Sequence, residues 1–320
     1  MSADNRQSVK YSVVFLLDKE NANFKIFYES VVNICTSRQD SFEVIIVANG
    51  TGGFLRELLE EELQAGKLKA IEMDSRTSKA ICMKSVLKES SGQYILAFGA
   101  YQQLTNNSIN KILDSIDNET DIISPWRLNR SDPFFYRLQS KIFNTAVRWI
   151  AGSTPHDLSC NVSVFRREVL EKTDLYGNMY RFLPIYAAQK GFSCKEVKCE
   201  HNKEHGEPRS AKAGFYHLFI YINRIIDMFT LYFNTSFSKK PLRFFIGLGA
   251  LFIIVGILIS LAILLKKMSY GYPVGDNPSL LLAAFFMLIG IQSASVGLLG
   301  EIIVFTYGRM KKDFVIEKII

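Results

Sequence analysis

Five cysteines are scattered through the 320 residues, at Cys35, Cys82, Cys160, Cys194 and Cys199, and no two of them make a C-x-x-C pair. That spacing excludes a cysteine-rich zinc site and a disulfide framework, and predicts a reduced setting. The first ten residues hold no apolar run, so no secretory signal is expected there. Acids are the minority charge: 31 Asp and Glu stand against 38 Lys and Arg, a net charge of +7 and a pI of about 9.0. A last absence is local. Residues 244–265 and 277–300, stretches of 22 and 24 residues, contain no charge at all. Each exceeds the roughly 20 residues that cross a bilayer.

The two apolar spans, expected as helices over about 244–265 and 280–304, are joined by the short loop 266–276 and predict a membrane hairpin. Lys239, Lys240 and Arg243 precede the first span, and Arg309, Lys311 and Lys312 follow the second. The loop holds only Lys266 and Lys267. The basic side carries both termini and is therefore expected to face the cytosol, with the rest of the chain on it. The excess of positive charge then reflects anionic lipid head groups rather than nucleic acid.

Ahead of the hairpin, short apolar runs alternate with amphipathic segments. Strands are expected at 11–17, 42–47, 68–73, 94–98 and 121–124, and helices at 24–36, 54–63, 79–89 and 107–116. This alternation predicts an α/β fold, a mostly parallel sheet with helices on both faces. Ligands of such sheets sit at the carboxyl ends of the strands, which places a candidate site at 18–21, 48–53 and 99–103. The domains read as a polar tail over 1–10, an α/β domain over 11–210, amphipathic helices over 211–243, the hairpin over 244–308, and a cytosolic tail over 309–320. Two aromatic and basic segments, 134–150 and 216–233, fit interfacial helices; for the first, an ordinary core helix fits as well.

The middle and end of the chain carry a resemblance. Asp157-Leu158-Ser159-Cys160-Asn161-Val162-Ser163-Val164-Phe165-Arg166-Arg167-Glu168-Val169-Leu170 is similar to D-x-x-C-G-F-R-x-F-R-R-E-V-L. Arg181-Phe182-Leu183-Pro184 is similar to R-F-L-P, Glu196, Val197 and His201 to E-V-x-V-x-H, and Gly297-Leu298-Leu299-Gly300-Glu301 to G-x-x-G-E. These are motifs of membrane-bound family 2 glycosyltransferases of the polyprenyl-phosphate type, and the likeness runs over nearly the whole chain.

The resemblance implies a nucleotide-sugar-binding, glycosyltransferase A-like domain. It implies a nucleotide sugar as donor, a polyprenyl phosphate as acceptor, Mg²⁺ or Mn²⁺ at a D-x-D on the fourth strand, and a place in the bacterial inner membrane and its envelope glycan assembly. It also assigns roles: Asp157 and Gln103 as catalytic; Glu20, Asn49, Lys79 and Gln103 as donor-binding; Arg127, Arg137, Arg181 and His201 as holding the acceptor phosphate. For Asp157 a base, a metal-shell residue and a helix cap remain open, and for Lys79, Arg127 and Arg137 a solvated surface cation is the alternative.

This chain departs from the pattern at the strand tips. Ala48-Asn49-Gly50-Thr51 stands where the family has D-D-G-S, and Gly99-Ala100-Tyr101-Gln102-Gln103 where it has D-A-D-x-Q. Asn161 and Ser163 replace a glycine and an arginine. No metal ligand set is therefore expected. Three readings follow: a transferase that activates its donor with side-chain cations instead of a metal; an inactive homologue that binds a lipid phosphate, a nucleotide or a protein partner; or a structural subunit of a membrane glycan-assembly complex, as a homo-oligomer or with another protein.

Overall fold

The structure, a computed structural model, describes residues 9–117, 119–128, 144–145, 147–148, 155–173, 175–202, 226–227, 229–232, 241–270 and 278–310. Most of the two expected interfacial segments, with Arg137, lie outside the described residues. The chain divides into two compact units, 1–228 and 229–320.

In the first unit, β1 (Tyr11–Leu17) is flanked in parallel by β2 (Phe42–Asn49) and β4 (Tyr94–Gly99), and β3 (Lys69–Met73) extends the sheet beyond β2. On the other side β6 (Ser163–Arg166) runs antiparallel between β4 and β5 (Ile122–Leu128), and β7 (Cys194–Glu200) pairs in parallel with β5. The order is β3-β2-β1-β4-β6-β5-β7. Helices α1 (Phe24–Ser37), α2 (Gly52–Gln64), α3 (Lys79–Glu89) and α4 (Asn106–Asp114) connect the early strands. Shorter helices α5 (Arg167–Lys172) and α6 (Leu183–Gln189) follow β6. The expected mostly parallel α/β sheet is present, with one antiparallel strand that the hydropathy pattern does not single out.

β1 is buried along its whole length, as its unbroken apolar run requires of a strand covered on both faces. Tyr11, Val13, Phe15 and Leu17 join one core with Phe24, Phe27 and Tyr28 of α1, while Val14 and Leu16 join a second with Ala80, Met83 and Val86 of α3. Phe15 stacks on Phe98 of β4 at 5.5 Å and meets Phe24 and Phe27 edge-on. This packing fixes the relative heights of β1 and β4, whose carboxyl ends carry the candidate site. At the opposite end Glu43 clamps the turn into β4. Its Oε1 accepts from the Ser91 amide at 2.6 Å, the Ser12 hydroxyl at 2.7 Å and the Gly92 amide at 3.2 Å. Gly92 has no room for a side chain there, since a Cβ would stand 2.5 Å from the Ser12 nitrogen.

The second unit holds the two long helices α7 (Pro241–Tyr270) and α8 (Pro278–Met310). The first begins before and ends beyond its charge-free span, and the second begins one residue inside its span and ends beyond it. They run antiparallel: Gly249 faces Gly290, Gly256 faces Ala283, and Phe252 stacks on Phe286 at 5.9 Å. Large apolar side chains such as Leu251, Leu258, Phe285, Leu299 and Ile303 are exposed. Apolar surface of that extent on helices long enough to span a bilayer marks a membrane protein.

Candidate functional site

Three strand ends are tied together where the sequence places the site. The Thr51 hydroxyl, after β2, donates to the Leu17 carbonyl at the end of β1 at 3.0 Å. The Asn21 amide donates to the Ala100 carbonyl at 2.8 Å, and the Tyr101 hydroxyl to the Glu20 carbonyl at 3.3 Å, so the loops after β1 and β4 hold each other. Asn49, expected to bind the donor, closes a two-bond ring with the Thr77 backbone: its Nδ2 donates to the carbonyl at 2.9 Å and its Oδ1 accepts from the amide at 2.8 Å. That ring fixes the segment leading into α3, which carries Arg76 and Lys79.

Four of the expected site residues fall in one hydrogen-bonded chain. Arg127, near the end of β5, grips Asp157 with Nε to Oδ2 at 2.6 Å and Nη2 to Oδ1 at 3.1 Å. Its Nη1 reaches Gln103 Oε1 at 3.4 Å, and the same oxygen accepts the Asn161 amide at 2.9 Å. Asn161 Oδ1 then accepts from Lys79 Nζ at 3.3 Å, and Lys79 lies 4.0 Å from Asp18 Oδ2. The chain runs Asp157–Arg127–Gln103–Asn161–Lys79–Asp18, from β5 across β4 to the end of β1. It starts in the interior, where the Arg127 and Asp157 side chains are each 4% exposed, and ends in solvent, where Lys79 and Asp18 are 35% and 38% exposed. Asp157 also accepts from the amide and hydroxyl of Ser159. Arg127, expected at the acceptor phosphate, therefore spends its guanidinium inward.

Asn161 explains two departures as one exchange. A Cβ built on Gly99 would stand 3.1 Å from Asn161 Cβ. The space that a side chain at position 99 would need is crowded by Asn161, two residues ahead of β6, and a glycine at 161 would relieve it. Arg76 is a site residue that strand and helix patterns do not single out. Its Nη2 donates to the Asp18 carbonyl at 3.0 Å, and its Cγ lies 3.1 Å from where a Cβ on Gly50 would be. The left-handed Gly50 (φ 79°) thus lets the arginine lie over the β2 turn.

A divalent cation of the kind the family uses needs hard oxygens, carboxylates among them. Among the described residues no three Asp, Glu, His or Cys side chains converge. Gly99 offers no side-chain oxygen, and the Tyr101 hydroxyl is turned to the Glu20 carbonyl. The oxygens of Asn161 and Asp18 lie around the Lys79 ammonium, which would repel a metal ion. Among the described residues, those at the strand ends do not fit Mg²⁺ or Mn²⁺.

The remaining expected residues lie apart from this chain. Arg181, in the 3₁₀ turn Gly177–Phe182, is 3.8 Å from Asp227. His201 forms a bridge with Leu104, and the next amide, of Asn202, donates to the Gln103 carbonyl at 3.0 Å. Beside Asp157, His156 stacks on Trp126 at 4.2 Å, and its Nδ1 is 2.7 Å from Glu196 Oε2. Glu196 also accepts the His156 amide, so it holds the backbone from which Asp157 projects.

Residues 13–174, just over half of the chain, match the model of glycosyl transferase family 2. Two relatives are similar along more than nine-tenths of their length. The dodecaprenyl-phosphate galacturonate synthase of Rhizobium johnstonii is 26% identical over 319 residues, covering 96% of this chain and 91% of the relative. The undecaprenyl-phosphate 4-deoxy-4-formamido-L-arabinose transferase of Proteus mirabilis is 23% identical over 317 residues, covering 97% and 94%. A solved glucosyl-3-phosphoglycerate synthase from Mycobacterium tuberculosis overlies 72% of this chain and 82% of its own at 13% identity, with a TM-score of 0.49. The parallel β1–β2–β4 core, the site at its carboxyl edge and the family match over 13–174 agree, and the chain belongs to glycosyl transferase family 2.

Proposed function

We propose that this protein transfers a sugar from a nucleotide donor to a polyprenyl phosphate for envelope glycan assembly. The observation that carries this reading is the hydrogen-bonded chain from Asp157 to Lys79, which gathers four of the expected site residues at one edge of the sheet. The lipid-phosphate sugar chemistry comes from the names of the full-length relatives.

An acceptor phosphate is already anionic, so its oxygen attacks the anomeric carbon without a strong base, and positioning dominates catalysis. The new carbon–oxygen bond forms as the bond to the nucleoside diphosphate breaks, with the electron pair leaving on the diphosphate oxygen. One in-line displacement inverts the anomeric centre. In this reading Glu20, Asn49, Lys79 and Gln103 serve the donor side, and Arg137, Arg181 and His201 the acceptor phosphate. Asp157 and Arg127 act as positioning residues, holding Gln103 and through it Asn161. The α/β unit works on the cytosolic face of a bacterial inner membrane, where the α7–α8 hairpin keeps it beside its lipid acceptor.

The test is transfer of radiolabel from a panel of UDP- and GDP-sugars into butanol-extractable lipid, using membranes with and without the protein and added undecaprenyl phosphate. Protein-dependent lipid label from one donor is expected. No label above the control membranes from any donor would overturn the reading.

A further inference from the structure

The misfit of the metal site has a positive counterpart. Asn161 Oδ1 and Asp18 Oδ2 are the type of oxygen that would face a cation, and what lies between them is the Lys79 ammonium, at 3.3 and 4.0 Å. Lys79 is partly exposed, so a ligand can reach it. Arg76 adds a second positive charge on the same segment, its guanidinium 3.0 Å from the Asp18 carbonyl. Both cations are aimed by the Asn49–Thr77 ring and the Gly50 turn, and Lys79 by the Gln103–Asn161 link as well.

We infer that the Lys79 ammonium is a built-in replacement for the divalent cation, binding the diphosphate of a nucleotide sugar with Arg76 and without metal. The inference rests on the transferase reading and adds the means of leaving-group neutralisation. Lys79 keeps its proton throughout. As the anomeric carbon–oxygen bond breaks, the departing diphosphate oxygen takes the electron pair, and the fixed ammonium and guanidinium balance the developing charge. The acceptor phosphate supplies the replacing oxygen, so no proton or co-reactant is needed. Asn161 sits over Gly99 because a neutral oxygen suffices to aim an ammonium, whereas two carboxylates there would capture the lysine as an ion pair.

The test is calorimetric titration of the full-length protein in detergent with UDP and with GDP, in EDTA and in excess manganese chloride. One of the two nucleotides is expected to bind in EDTA, with an affinity that manganese changes by less than about twofold. Lys79→Gln should weaken that binding by about tenfold, with Lys79→Arg in between, as expected for loss of one charged phosphate contact. Binding that appears only with manganese overturns the inference and leaves the transferase reading standing. So does Lys79→Gln binding as tightly as wild type in EDTA. Binding of neither nucleotide under either condition overturns both. The EDTA and manganese comparison on wild type needs no variant to fold.

Discussion

Arg127 and Asp157 meet as a buried fork, Nε on one carboxylate oxygen and Nη2 on the other, at 2.6 and 3.1 Å. Removing either partner leaves the other charge in the interior, which costs about 3–5 kcal/mol. Asp157→Ala and Arg127→Met should each melt well below wild type when the full chain is heated in detergent. The double variant Arg127→Met with Asp157→Leu should recover much of the loss, because no charge is left unpaired. Single variants that melt like wild type would show that the fork does not hold the site.

The Asn49 ring makes a sharper prediction, because restoring the acid typical of the family should harm this protein. A carboxylate at position 49 still accepts from the Thr77 amide but cannot donate to the Thr77 carbonyl. Asn49→Asp should cost about 1–3 kcal/mol in unfolding free energy, the penalty for a polar group left unsatisfied. Chemical denaturation is the check. An unchanged midpoint would mean that the ring is not formed.

Glu43 predicts a pH dependence. Burial pushes its carboxyl up, but hydrogen bonds from the Ser91 backbone, Lys69, Ser12 and the Ser91 hydroxyl outweigh burial and bring it down to about 2. The folded carboxyl thus titrates below the unfolded one. Its stabilisation is complete above about pH 4.5 and is lost as pH falls toward 2, an amount on the order of 3 kcal/mol. Melting temperature should fall through that window, and Glu43→Gln should lower stability at neutral pH while flattening the acid limb. The same acid slope in Glu43→Gln would assign it to other groups.

What the residues revealed, and what they hid, follows from range. β1 and α3 were legible at their observed bounds because an unbroken apolar run and a 3.6-residue period are local signals. β6 was not: four residues, two of them polar, are too few to show a period, and only pairing with β4 and β5 makes them a strand. The hairpin was visible from its missing charges, yet its helices run past them to Tyr270 and Met310, because helical backbone continues beyond the apolar core. At the site, the residue types at 99 and 161 were each seen as losses. That one crowds the other's space is a contact between residues 62 apart in the chain, and no spacing rule contains it. Arg76 went unmarked for the same reason, since only the fold brings it over Gly50.

The hairpin has its own test. A Cβ on Gly249 would lie 2.6 Å from the Gly290 carbonyl oxygen, and one on Gly290 2.6 Å from that of Gly249, whereas Gly247 has open space. At the membrane end Glu301 Oε2 accepts from the Leu242 amide at 3.4 Å, capping α7 from α8. Gly290→Val should destabilise helix packing by about 1–3 kcal/mol, the usual cost of overpacking, while Gly247→Val should be near neutral. Thermal aggregation of both variants in detergent reads the difference. Equal behaviour would contradict the close approach.

The most direct measurement is the structure of the lipid product. Purified full-length protein is incubated with undecaprenyl phosphate and the donor that gives lipid label, and the anomeric linkage of the product is read by NMR. A single displacement by a positioned phosphate predicts one sugar per lipid phosphate, with the anomeric configuration opposite to that of the donor. A retained configuration, or donor consumed without a lipid-linked sugar, would contradict the account.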